Sequence, residues 1–159
     1  MVASKSQPRI FLVVVDESVE MPVALYYASR RAQRTGGRVA MLRVIPTGES
    51  HGLLSVATLM REEARQEAEQ LLQRLAKTVI DVTGSTPVFY LREGSVRDEL
   101  LALVGEDPTI SILVLAAGTG PEGPGPLITF LSGKASARLR IPVTIVPGSL
   151  THEQIDAIS

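Results

Sequence analysis

Apolar residues in this chain gather in five short runs, separated by longer stretches that alternate polar and apolar positions at helical spacing. Ile10–Val15 (IFLVVV) is continuous and β-branched, the pattern of a strand buried on both faces of a parallel sheet. It stops at Asp16, with Ser18 two residues on. Met21–Arg34 then places Val23, Tyr26, Tyr27, Arg30 and Arg31 as the two sides of an amphipathic helix, and Gly36-Gly37 ends it. Arg38–Ile45 (RVAMLRVI) reads as a second strand closed by Pro46. A polar loop through Gly52 leads into a long helix over Val56–Val82, whose apolar side carries Ala64, Ala68, Leu71, Leu72, Leu75 and Val79.

The alternation continues to the end of the chain. Thr86–Leu91 is a third strand, and Gly94-Ser95 opens a helix in which Ser95 with Asp98 has the spacing of a cap. Ile110–Ala116 is a fourth strand, Leu127–Leu139 a helix, and Pro142–Pro147 a short fifth strand framed by prolines. Strands alternating with helix-length segments predict a single doubly wound α/β domain over residues 10–148. Its five-stranded sheet is mostly parallel, with helices on both faces and right-handed crossovers. Residues 1–9 and 149–159 read as mobile tails. The prolines make the fifth strand an edge, and an apolar edge bearing Val143 and Ile145 needs cover, either by a second copy in a homodimer or by tail or helix residues of the same chain.

Composition narrows the function classes. The 159 residues carry a net charge of −1, and 4% are aromatic, so neither a basic surface nor stacking platforms point to nucleic acid. There is no cysteine, which removes disulfides, thiolate metal sites and cysteine nucleophiles. The two histidines, His51 and His152, stand far apart in apparent loops and predict no metal site. No apolar run approaches a membrane span, and MVASKSQPR has no signal-peptide core; a cytoplasmic protein is expected.

Candidate chemistry concentrates in Ala116–Lys134, AAGTGPEGPGPLITFLSGK. Gly118, Gly120 and Gly123 form a literal G-x-G-x-x-G, but it follows the fourth strand rather than the first. No acidic residue ends a next strand about 20 positions later, and Pro124 and Pro126 stop a helix from starting directly behind the third glycine. Gly133-Lys134 resembles the end of a P-loop, yet Ile128 stands in place of its first glycine and Ala135 in place of its hydroxyl. Both readings fail. Glu62, Glu63, Arg65, Glu67 and Glu69 read as a solvated helix face and Ser95 as a cap; Arg43 and Arg92, near strand ends, read as salt-bridge partners, with lining of the crevice as the alternative. Asp16 is equally a turn or cap residue and a site residue.

One longer spacing fits. Gly120-x-x-Gly123, nine residues, then Gly133-Lys134 resembles the G-x2-G-x9-G-[ST] signature of the universal stress protein family. IFLVVVDES resembles that family's first strand and D-x-S turn, MLRVIP its second strand, REGSVRDELL its third-strand-to-helix junction and IPVTIVPG its last strand. The match runs in order from Ile10 to Gly148. The resemblance implies a sheet order of 3-2-1-4-5, which places the ends of strands one and four side by side at a switch point. It implies that Asp16 holds an adenosine portion, that the backbone at Val44 meets adenine, and that Gly120, Gly123, Gly133 and Lys134 approach ribose and phosphates. It also implies ATP, with Mg, or another adenine nucleotide as ligand, and dimerisation through strand five.

This chain departs from the pattern at the phosphate end. Lys134 replaces a hydroxyl residue, Pro121, Pro124 and Pro126 each remove a backbone N–H, and Glu122 adds negative charge where an anion would sit. The expected function is a non-catalytic, homodimeric stress-response protein with an unknown protein partner. A nucleotide-free dimeric adaptor and a weak nucleotide hydrolase stand as alternatives; the last needs a metal-binding carboxylate and a positioned water, which Asp16 and Lys134 alone do not supply.

Overall fold

The structure, a computed structural model, describes residues 7–47 and 54–159, the side chains of 54 and 55 excepted. The expected N-terminal tail therefore lies mostly outside the described residues, as do the loop through Gly52 and His51.

Five strands form one all-parallel sheet: β1 (Ile10–Val14), β2 (Arg38–Ile45), β3 (Val88–Glu93), β4 (Ile110–Ala117) and β5 (Val143–Pro147). Their order is β3-β2-β1-β4-β5, as expected. Each central strand is apolar at successive positions because alternate side chains enter different cores. Phe11, Val13, Val39, Met41 and Val114 pack under α1 (Met21–Thr35) and α2 (Leu54–Thr83). Leu12, Val14, Leu42, Leu113 and Leu115 pack under α3 (Val96–Glu106) and α4 (Pro126–Leu131). The three-layer arrangement follows directly from that alternation. Among the described residues no helix is long and apolar enough to cross a membrane.

Ser95 caps α3 as its spacing predicted, accepting from the Asp98 N–H at 3.4 Å. From β3, the half-buried Tyr90 packs against the core under α3, and its hydroxyl donates to Asp107 just after that helix. Burial first, and then that bond, push the Tyr90 phenol up to about 12. This perturbed group is a structural tie, set apart from the carboxyl ends of β1 and β4.

Two expectations differ from the structure. The helix read over Leu127–Leu139 is broken. α4 ends at Leu131, Gly133 leaves helical geometry with ψ −145°, and Lys134–Arg138 forms a separate 3₁₀ turn. The segment after Gly148, read as a tail, contains α5 (His152–Ile158). This helix is closed at its start by a reciprocal capping box between Thr151 and Gln154 and packs against α1. Its anchor, Ile155, is fully buried.

Candidate functional site

The carboxyl ends of β1 and β4 lie side by side, and there the chain leaves each strand in an opposite direction. β1 runs out at Val15, and Asp16 turns the chain before α1. The Asp16 Oδ1 accepts from the Ser18 N–H at 2.9 Å and from the Ser18 hydroxyl at 2.5 Å, so the D-x-S pattern is a side-chain-closed turn rather than a helix cap. Glu20 occupies the N-cap position of α1 without a side-chain capping bond.

The glycine and proline segment after β4 folds back on itself. The Gly118 N–H donates to the Pro124 carbonyl at 2.9 Å and the Gly123 N–H to the Gly120 carbonyl at 3.2 Å. Gly123 and Gly125 hold φ of +92° and +118°, conformations that side-chain-bearing residues rarely adopt. The fold-back lays Pro124, Gly125 and Pro126 over the switch point. Beneath them is a crevice of about 70 Å³, bounded on the β1 side by Asp16, Ser18 and Glu20. That volume is well below the roughly 300–1,000 Å³ of small-molecule pockets.

A second, larger cavity opens from Asp16 on the α2 side. It is a groove of about 550 Å³ between the end of β2 and α2. Arg43 and Arg74 line it with Asp16, Glu17 and Glu67, and Ile45, Ala64 and Leu71 give it apolar walls. Asp16 faces both cavities.

The six residues expected to meet a nucleotide are therefore dispersed. Asp16 lines both cavities. Val44 is buried, its side chain in the core under α3 rather than at either cavity. Gly120, Gly123, Gly133 and Lys134 do not line the crevice, whose loop wall is built by residues 124–128 instead. Sequence reasoning missed Glu20, which the turn into α1 places at the crevice, and the Pro124–Pro126 strap, whose placement depends on the internal bonds of the loop. Of the two arginines read as salt-bridge partners, Arg92 pairs with Glu99 and with Glu106, the latter at 2.7 Å. Arg43 makes no ion pair among the described residues. Its Nη1 donates to the Val15 carbonyl at 3.3 Å, and its buried Nε has no partner among the described residues.

A magnesium triphosphate fits this arrangement poorly. The N–H groups of Gly118 and Gly123 are spent within the loop, three prolines offer none, and Glu20 adds a carboxylate to the crevice wall beside Asp16. Phosphate cradles need the opposite: free, convergent donors.

Comparison with known proteins bears on the fold and the family. The sequence model of the Universal stress protein family matches residues 8–147. Among solved structures, the fold is similar to the universal stress protein UspA from Lactobacillus plantarum, at 18% identity and a TM-score of 0.73 over 89% of this chain and 99% of that one. It is similar to a universal stress protein in complex with cAMP, at 16% identity and a TM-score of 0.62 over 91% of this chain and 100% of that one. A universal stress protein from Archaeoglobus fulgidus in complex with dAMP has 15% identity and a TM-score of 0.57, over 89% of this chain and 98% of that one. None of the curated proteins matches the chain.

Proposed function

We propose, from the premise that this chain belongs to the universal stress protein family, that it is a cytoplasmic, non-catalytic regulatory protein. In this reading it binds an adenine nucleoside carrying at most one phosphate across Asp16. The base lies in the α2 groove with its polar edge toward Asp16, and the ribose and any phosphate extend toward the strap of Pro124–Pro126. The observation that carries it is the placement of Asp16 at the switch point, facing both cavities. That two proteins of the same fold were solved with cAMP and dAMP supports the ligand class. Occupancy regulates only if the ligand binds one conformation better than another. The strap is the element whose position a ligand would bias.

Thermal melting with ligand tests this reading. AMP or cAMP at a hundredfold excess over Kd raises apparent stability by about 2.7 kcal/mol through linkage. ATP with magnesium is expected to give a smaller rise at equal concentration. The reading fails if neither monophosphate shifts the melt at millimolar concentration, which would leave the nucleotide-free adaptor. ATP outperforming AMP would restore a triphosphate site.

The same reading includes a homodimer across β5. That strand is at the sheet edge, and its Ile145 side chain is 48% exposed. Such an apolar edge is a pairing site. Ile145→Lys is expected to convert a dimer to a monomer in sedimentation velocity without lowering the monomer's melting temperature. A dimer that persists through this change would place the interface elsewhere.

A further inference from the structure

Arg43 is one of two side chains, with Ser159, that hold a buried polar atom without a partner among the described residues. It sits on β2 two positions after the buried Met41, so it points to the α1–α2 side. Its Nη1 donates to the Val15 carbonyl, and the side chain lines the groove between β2 and α2. The Nε itself is buried without a partner among the described residues. A buried donor on a charged group normally finds an acceptor, since leaving one unpaired costs about 1–3 kcal/mol or more.

The groove beside it says what kind of acceptor would serve. Its volume of about 550 Å³ suits a small molecule. Three carboxylates (Asp16, Glu17, Glu67) oppose two guanidiniums (Arg43, Arg74), so a purely anionic group gains little there. A neutral group bearing an acceptor and a donor side by side is served by both signs. The apolar walls of Ile45, Ala64 and Leu71 suit a flat ring. Arg43 is fastened to the carbonyl of Val15, the residue before Asp16, so donor and carboxylate are neighbours. Only the Oδ1 of Asp16 is taken by Ser18.

We infer that Arg43 reads the base in this groove. It donates to the ring nitrogen that flanks an exocyclic amino group, while the free carboxylate oxygen of Asp16 accepts from the amino group. The inference rests on the nucleotide reading above and adds a side chain to it. An aminopurine offers this acceptor–donor pair on two edges, at N1 or at N7.

Calorimetric titration of the wild type and Arg43→Met with AMP, ribose 5-phosphate, 1-deaza-AMP and 7-deaza-AMP tests it. Arg43→Met is expected to weaken AMP about tenfold, the usual size of a lost charge-assisted hydrogen bond. Ribose 5-phosphate binding stays unchanged. One deaza analogue binds the wild type about tenfold more weakly than AMP does and loses nothing further in the variant; which analogue does so identifies the edge. Melting temperature is expected to change little in Arg43→Met, because the unpaired buried Nε leaves together with the long Nη1 bond to the Val15 carbonyl. Arg43→Gln serves as a second variant should Met disturb packing. AMP binding that is equal in wild type and variants overturns the inference alone, as does an equal loss for ribose 5-phosphate. A wild type that binds no AMP overturns the nucleotide reading as well.

Discussion

Gly148→Ala is expected to destabilise the protein by about 3 kcal/mol, the upper end for forcing atoms into a packed site. The cause is steric alone. A Cβ on Gly148 would lie 2.2 Å from the Ala117 carbonyl oxygen and 2.9 Å from the Cβ of Glu20. Neither neighbour yields cheaply. The Ala117 carbonyl accepts the Gly148 N–H at 2.9 Å as the last rung of the β4–β5 ladder, and the Glu20 Cβ is fixed at the start of α1. Relief would require β5 to peel from β4 at the end where the crevice lies.

Gly120→Ala is the matched control. A Cβ there meets nothing within 4 Å, and the expected change is within about 0.5 kcal/mol. Urea denaturation of both variants reads the difference, and the Gly148 variant should melt roughly 6–12 °C lower. A loss below 1 kcal/mol in Gly148→Ala, or an equal loss in both variants, would show that the β5 end is not held as described. The contrast also separates two kinds of glycine. Gly120 belongs to the family-like G-x2-G spacing yet stands in open space, whereas Gly148, outside that spacing, is where backbones meet most closely.

The sheet was legible because its strands announce themselves physically. IFLVVV and ISILVL are buried on two sides, and no amphipathic surface element would carry such runs. Their order came from the resemblance rather than from periodicity, which cannot say which strands are neighbours. The helix after the strap was overextended for an equally physical reason. Apolar spacing continues through Leu127, Leu131 and Leu139, but a single glycine at 133 releases the backbone, and spacing does not register that.

At the candidate site, Asp16 was legible because it ends a buried run. The rest was not, because it is set by tertiary bonds between residues whose spacing carries no signal. The Gly118–Pro124 bond swings the prolines over the crevice and takes Gly120 and Gly123 off its wall. Val44, one position from Arg43, faces the opposite core as strand alternation requires. Arg92 found the carboxylates that Arg43 lacks, although both sit near strand ends with similar neighbours in sequence.

Ile155→Ala is expected to undock α5, with a loss of about 2 kcal/mol, the low end for truncating a buried isoleucine. The signal for α5 was present in the sequence as Thr151-x-x-Gln154, the spacing of a capping box. With one buried apolar residue, it read as a tail. The other contacts are polar and aromatic. The Tyr26 hydroxyl and the Arg30 Nε each donate to the Asp156 Oδ1 at 2.7 Å, the Arg34 Nη2 donates to the Asp156 carbonyl at 2.8 Å, and the His152 ring stacks on Tyr26 at 3.8 Å. Exposed ion pairs of this sort contribute little singly, so the buried side chain decides whether the helix stays.

The loss is capped by the docking free energy of α5. Asp156→Ala added to Ile155→Ala is therefore expected to cost less than Asp156→Ala alone. Acidification should act through the same contact. The Tyr26 hydroxyl first, and then Arg30, hold the Asp156 carboxyl below the usual range. A carboxylate with a lowered folded pKa contributes stability above its unfolded pKa of about 3.9 and loses it as pH falls through the folded value. The wild type and Asp156→Ala should thus converge in acid and differ at neutrality. Hydrogen exchange reads all of this locally. In Ile155→Ala the α5 amides should exchange freely while those of β1 and β4 stay protected. Unchanged protection of α5 would mean that its place on α1 is held by the clasp around Asp156, with Ile155 a passenger.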